Sequence, residues 1–400
     1  MAPINAMQVR EKGRPIAPEC VKLGFVPALN GLRGVAILLV LGNHIPLRRY
    51  ASLLPGGYVG VDVFFVLSGF LITTLLVQEF NLRGSISLRN FYIRRVLRLG
   101  PALIVMLIVI CTLSFVLFDR MRARQNCICA LIALFYASNW VKALSHNGLG
   151  IVAQTWSLSA EEQFYIIWPL LLLTLVRATR RSRHIIIAAA ALALLSWLDG
   201  ICLALRGATF TRIMFGLDSK LVTLMIGCTL GVWLTSGHMT EGAKRIFQKL
   251  LVILAPLSLI CLVAFSISGN VLGKGLFYYG FTIIALLAAA LVLDVMVSQQ
   301  SILKRFLEMK WLVWIGSISY GLYLWHWPIF YVMTYIYRCS GWTVILVGTP
   351  LAFLATLLSY YGMERRILEF KNRFTSDSLL KETTLNAESK NEKKDDPSMF

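Results

Sequence analysis

The sequence predicts an all-α polytopic membrane protein, with about ten transmembrane helices and both termini in the cytoplasm. Three observations lead there. Of 400 residues, 57% are hydrophobic and only 15% charged, and the mean hydropathy is +0.70, values that no soluble domain of this length shows. Apolar runs long enough to cross about 30 Å of hydrocarbon recur along nearly the whole chain, without the alternation of a β-barrel. The basic residues behind a formal net charge of +19 are gathered in clusters between those runs, which marks cytoplasmic loops and argues against a nucleic-acid partner.

Taken in order, residues 1–26 are polar and basic and lack an apolar core ahead of a small-residue cleavage site. They are expected to remain as a cytoplasmic amino-terminal segment rather than be removed as a signal peptide. The membrane domain is expected over 27–366. Its candidate spans are 27–46, 58–78, 99–118, 155–176, 184–206, 217–236, 250–268, 276–297, 311–337 and 342–363. The run 127–141 is short for a span and reads as a re-entrant or interfacial segment. Charge supports that choice. If 127–141 does not cross, the clusters Arg89/Arg94/Arg95/Arg98, Arg177/Arg180/Arg181/Arg183, Lys244/Arg245/Lys249, Lys304/Arg305/Lys310 and Arg365/Arg366/Lys371/Arg373 all fall inside. Arg48/Arg49 and Arg120/Arg122/Arg124 fall outside and break the rule. Ser85 to Arg98 spaces Leu88, Phe91 and Tyr92 among arginines, the pattern of an amphipathic segment on the inner surface. Residues 367–400 turn polar and charged and are expected to form a disordered cytoplasmic tail. No soluble domain is expected at either end, so the chemistry falls to the membrane part.

The eight cysteines, Cys20, Cys111, Cys127, Cys129, Cys202, Cys228, Cys261 and Cys339, show no metal or haem spacing. They read as small apolar packing residues, and no bound metal or cofactor is expected.

The first span carries Arg33 and His44, eleven residues apart. At about 100° per residue they share one face, roughly 16 Å apart along the axis. Ionisable groups in a bilayer are costly and mark functional sites by default. Taken singly, Arg33 reads as snorkelling to the headgroups and His44 as capping the far end. Asp62 opens the second span at the depth of His44. It either exploits the helix dipole or fixes the imidazole tautomer and leaves the other nitrogen as a base. In the fourth span, Ser159 and Glu162 match a capping box. Glu161 has no such explanation, and it shares a face with Tyr165, which places that carboxylate in a cavity. Arg95 and Arg98, one turn apart at the inner end, join Arg33 as a polycationic mouth suited to phosphate. In the ninth span Ser319, Tyr323 and His326 face inward in a Trp- and Tyr-rich stretch, either an interfacial belt or a sugar-stacking platform. His326 alone also fits a satisfied bundle histidine.

These stretches together resemble the acyltransferase-3 family of integral membrane enzymes that O-acylate extracytoplasmic carbohydrates. Arg33 and His44 match its Arg-x10-His motif and Arg95 and Arg98 its Arg-x-x-Arg motif, while Gly60–Phe70, Trp156–Tyr165 and Ser319–Trp327 match further signatures. The chain departs from it at Arg366, where the family commonly has proline, and at Asp218-Ser219-Lys220, where Asp-Thr-Arg is usual. The resemblance implies a multi-pass protein of a bacterial-type inner membrane that moves an acyl group, expected to be acetyl, from cytoplasmic acyl-CoA to a hydroxyl of a cell-surface or lipid-linked carbohydrate. His44 would be the essential residue, oriented by Asp62 or Glu161, acting as general base or carrying the acyl group. Arg33, Arg95 and Arg98 would hold the donor, and Tyr165, Ser319, Tyr323 and His326 would lie on the acceptor side. The competing reading is a transporter or flippase in which the same groups relay protons. Such carriers are often built from inverted repeats, and no repeat is evident here.

Overall fold

The structure, a computed structural model, describes residues 24–48, 51–145, 148–179, 181–237, 239–269 and 275–367. Cys20, most of the expected amino-terminal segment and the tail from 368 onward lie outside the described residues. The chain is an all-α membrane protein. In order, α1 spans Pro27–His44, a short hairpin pairs β1 (Pro46–Arg48) with β2 (Ala51–Ser52), and α2 (Val59–Arg83), α3 (Leu88–Leu117), α4 (Arg120–Leu134), α5 (Ser138–Leu144) and α6 (Thr155–Thr179) follow. Then come α7 (Ser182–Leu205), α8 (Phe210–Phe215), α9 (Leu217–Thr235), α10 (Glu241–Ser268) and α11 (Phe281–Val297). The last part holds α12 (Ile302–Leu307), α13 (Lys310–Ser317), α14 (Ser319–Tyr331), α15 (Gly341–Thr343) and α16 (Thr349–Ser359). π-Helical turns at Leu276–Gly280, Val332–Ile336, Val344–Gly348 and Tyr360–Glu364 adjoin these last helices.

Seven helical stretches among the described residues are long and apolar enough to cross a bilayer. Their outward faces are apolar, with Ile187, Leu194 and Leu198 on α7 and Ile253, Leu257 and Ile260 on α10 exposed, as lipid-facing helices require. Outside that set fall α1, α6 and the α13–α14 pair, the helices that carry Arg33 and His44, Glu161, and the Ser319–Trp327 stretch. Polar site residues dilute their hydropathy.

Helix directions follow from named contacts. Ser68 donates to Glu161 and Trp168 donates to Thr73, so α2 and α6 run parallel. Tyr92 donates to the Ile166 carbonyl and Met106 meets Gln154 just before α6, so α3 and α6 run antiparallel. The α4–α5 pair between them therefore leaves and returns to one end of the bundle, bent by 116°. The amphipathic 85–98 segment is not a separate surface helix, because Leu88 onward forms the first turns of the 30-residue α3, which continues through Pro101.

Close packing fixes α1. A side chain on Gly31 would collide with the Leu307 carbonyl, and one on Gly316 with the Asn30 carbonyl, so small residues set the distance between α1 and the α12–α13 segment. Gly227 lies in the same way against the Val66 carbonyl and brings α9 onto α2.

Candidate active site

The functional side chains gather where α1, α2, α3, α6 and α14 converge. A cavity of about 650 Å³ opens beside Gly24 and Phe25 at the start of α1 and is lined by Arg33, Ser68, Arg95, Arg98, Glu161, Tyr165, Ser319, Tyr320 and Tyr323. Along α2 its wall runs from Leu75 to Val61, about 21 Å at 1.5 Å per residue. Three guanidinium groups therefore face one carboxylate, and among the described residues none of the three forms an ion pair within 4.0 Å. Arg33 donates to Ser319 Oγ at 3.3 Å. Arg95 lies over the Tyr165 ring, 3.7 Å from its centroid, and its buried Nε has no partner. The Glu161 carboxylate accepts from Ser68 at 2.8 Å, which leaves the arginines with unspent donors. Unspent cationic forks in a largely apolar cavity are the arrangement that suits an anion with an apolar extension.

His44 and His326 do not line this cavity. The expected route along the Arg33–His44 stripe stops one ring short, at Tyr323. Tyr323 forms part of the cavity wall, with its hydroxyl bonded to Ser157 at 2.6 Å and to the Gln154 carbonyl at 2.7 Å. Its ring centroid lies 5.6 Å from that of His326. His326 in turn places Nε2 3.2 Å from His44 Nδ1 and Nδ1 3.0 Å from the Leu322 carbonyl. A carbonyl only accepts, so His326 Nδ1 carries its proton. With both rings neutral, His326 Nε2 accepts from His44 Nδ1–H, and His44 Nε2 carries the lone pair that can act as a base. Trp327 sets its ring edge-on to His44 at 4.7 Å between centroids.

Asp62 is not the partner of His44. Its Oδ1 accepts from Lys220 Nζ at 2.7 Å, both side chains being wholly buried, and Lys220 also lies over the Phe281 ring at 3.5 Å. A buried carboxylate needs a partner, and here the Lys220 ammonium supplies it. Glu161 likewise makes its hydrogen bond to Ser68, not to His44. The capping box does not form either. The α6 helix begins at Thr155, whose hydroxyl donates to the Val152 carbonyl and bonds to the Ser138 hydroxyl, so Ser159 sits inside the helix and donates to the Thr155 carbonyl. Of the four residues expected on the acceptor side, Tyr165, Ser319 and Tyr323 line the arginine cavity, and only His326 joins His44. Lys220 was visible as an ionisable residue in an apolar span, the signal that singled out Arg33. Ser68 carried no such signal.

The fold and site define a helical membrane protein with a cavity lined by three arginines that stops at Tyr323, one ring short of a paired histidine. The family model described as an acyltransferase domain matches residues 26–363, and the chain belongs to this acyltransferase family. It is 31% identical over 353 residues to the peptidoglycan O-acetyltransferase OatA of Listeria monocytogenes serovar 1/2a, covering 86% of this chain and 56% of the relative. It is 32% identical over 355 residues to the O-acetyltransferase OatA of Staphylococcus aureus, covering 86% and 57%. The chain thus spans little more than half the length of these curated relatives. No solved structure matches it.

Proposed function

We propose that this protein is an inner-membrane O-acyltransferase that takes an acetyl group from cytoplasmic acetyl-CoA and places it on a hydroxyl of a cell-surface carbohydrate of the peptidoglycan kind. About ten spans with both termini cytoplasmic complete this reading, and the positive clusters support it. One observation carries it: the three-arginine cavity ends a single ring from the His44–His326 pair. Arg33, Arg95 and Arg98 hold the CoA phosphates, and the pantetheine arm fills the apolar wall along α2. The thioester reaches His44 when the Tyr323 ring swings aside. His44 Nε2 then takes the proton of the acceptor hydroxyl, whose oxygen attacks the thioester carbonyl. The C–S bond breaks and the thiolate leaves with that proton. The names of the relatives point to peptidoglycan as the acceptor class.

The test is the protein in nanodiscs, supplied with acetyl-CoA and a chito-oligosaccharide. Thiol release matched by sugar ester is expected for the wild type, and its loss for His44→Ala. Near-normal ester formation by His44→Ala overturns the assignment.

A further inference from the structure

Beyond His44, on the side away from the arginines, a row of rings leads outward. Trp327 stands 4.7 Å from His44 between ring centroids, Tyr331 6.0 Å from Trp327, and Tyr335 5.0 Å from Tyr331 and 6.4 Å from Trp327. The residues recur every fourth position from α14 into the π-helical turn Val332–Ile336, so they share one face. π-Helical turns are rare and frequently mark functional sites. Trp327 and Tyr331 are half-buried, and Tyr335 at the end of the row is 60% exposed. The Trp327 indole donates to the Gly150 carbonyl at 3.0 Å, which fixes the ring nearest the imidazole.

We propose that Trp327, Tyr331 and Tyr335 form the binding platform for the acceptor, stacking on the apolar faces of successive pyranose rings and presenting one hydroxyl to His44. This deepens the acyltransferase reading and rests on it for the identity of the reaction. The negative face of an aromatic ring attracts the polarised C–H bonds of a sugar, and the phenol tips bond to sugar hydroxyls. A headgroup belt needs only polar ring tips at the interface. It does not account for rings set one against the next with the first against an imidazole. The platform also puts donor and acceptor on opposite sides of the histidine pair, because the arginine cavity stops at Tyr323.

The test is calorimetric binding of a chito-oligosaccharide to the full chain in nanodiscs, without acetyl-CoA, for the wild type, Tyr335→Phe and Tyr335→Leu. Leucine keeps the apolar bulk that an interface position needs but removes the ring face. The expected result is a dissociation constant about tenfold higher for Tyr335→Leu and within about twofold of wild type for Tyr335→Phe. Equal binding by wild type and Tyr335→Leu, or no binding by the wild type, overturns the platform. Binding that follows this pattern without any acetyl transfer overturns the enzyme reading and leaves the platform standing. Transfer that ignores Tyr335→Leu does the reverse.

Discussion

His326 Nε2 lies 3.2 Å from His44 Nδ1, and the Leu322 carbonyl on the far side of the His326 ring decides which of the two donates. The pair behaves as a tautomer lock. One backbone carbonyl, acting through one imidazole, holds the lone pair of the second on the nitrogen that faces away from the lock.

The lock predicts a graded series. His326→Phe keeps an aromatic ring but removes the acceptor, and it should lower kcat for acetyl transfer about 100-fold while leaving the KM for acetyl-CoA within about twofold. His326→Gln can still accept at Oε1 and should recover to within about tenfold of wild type. His44→Ala should fall to background. Steady-state kinetics in nanodiscs checks this, and wild-type kcat for His326→Phe would sink the tautomer argument.

Arg95 is the arginine with a buried unpartnered Nε, so it has the most to offer an anion. A charge-assisted hydrogen bond contributes about 1.5–3 kcal/mol, which corresponds to roughly 10–100-fold in affinity. Arg95→Gln should raise the KM for acetyl-CoA by that factor with acceptor KM unchanged, and Arg95→Lys should fall between, because lysine keeps the charge and loses the fork. An unchanged KM for acetyl-CoA in Arg95→Gln would remove the phosphate from this cavity.

What the sequence reveals and what it hides divide along distance in the chain. Periodicity alone puts Arg33 and His44 on one stripe, and both do meet α14 in the same order, at Ser319 and His326. The spacing of Arg95 and Arg98 likewise predicts their shared mouth. Partners more than a hundred residues away carry no periodic signal, so Asp62 reads as a neighbour of His44 by depth when it is claimed by Lys220, 158 residues on. The capping motif at Ser159 fails for a related reason. At the start of α6 Thr155 bonds to Ser138, 17 residues upstream, as well as to the nearby Val152 carbonyl, and the capping pattern does not report the distant partner.

Position of α1 depends on backbone approach at Gly316, where a methyl group would meet the Asn30 carbonyl. Gly316→Ala should cost about 1–3 kcal/mol through overpacking and shift Arg33 relative to Ser319. Thermal unfolding in nanodiscs should show a lower Tm, with reduced acetyl transfer in the surviving protein. An unchanged Tm would mean that α1 has slack at this contact, and the positioning argument would fail.

The buried Asp62–Lys220 pair separates a structural role from a chemical one. Asp62→Asn alone leaves an ammonium inside the bundle without its counter-ion, and breaking such a pair costs about 3–5 kcal/mol. The expected outcome is poor folding, and inactivity of that variant would say nothing about chemistry. The double variant Asp62→Asn with Lys220→Met removes both charges at similar volume, and neutral replacement of a buried pair is often tolerated. It should regain most of the wild-type Tm and transfer acetyl groups within about threefold of wild type, because Asp62 holds α2 to α9 and does not touch His44. A double variant that folds but transfers nothing would return Asp62 to the reaction centre, and the assignment of His326 as the residue that orients His44 would have to give way.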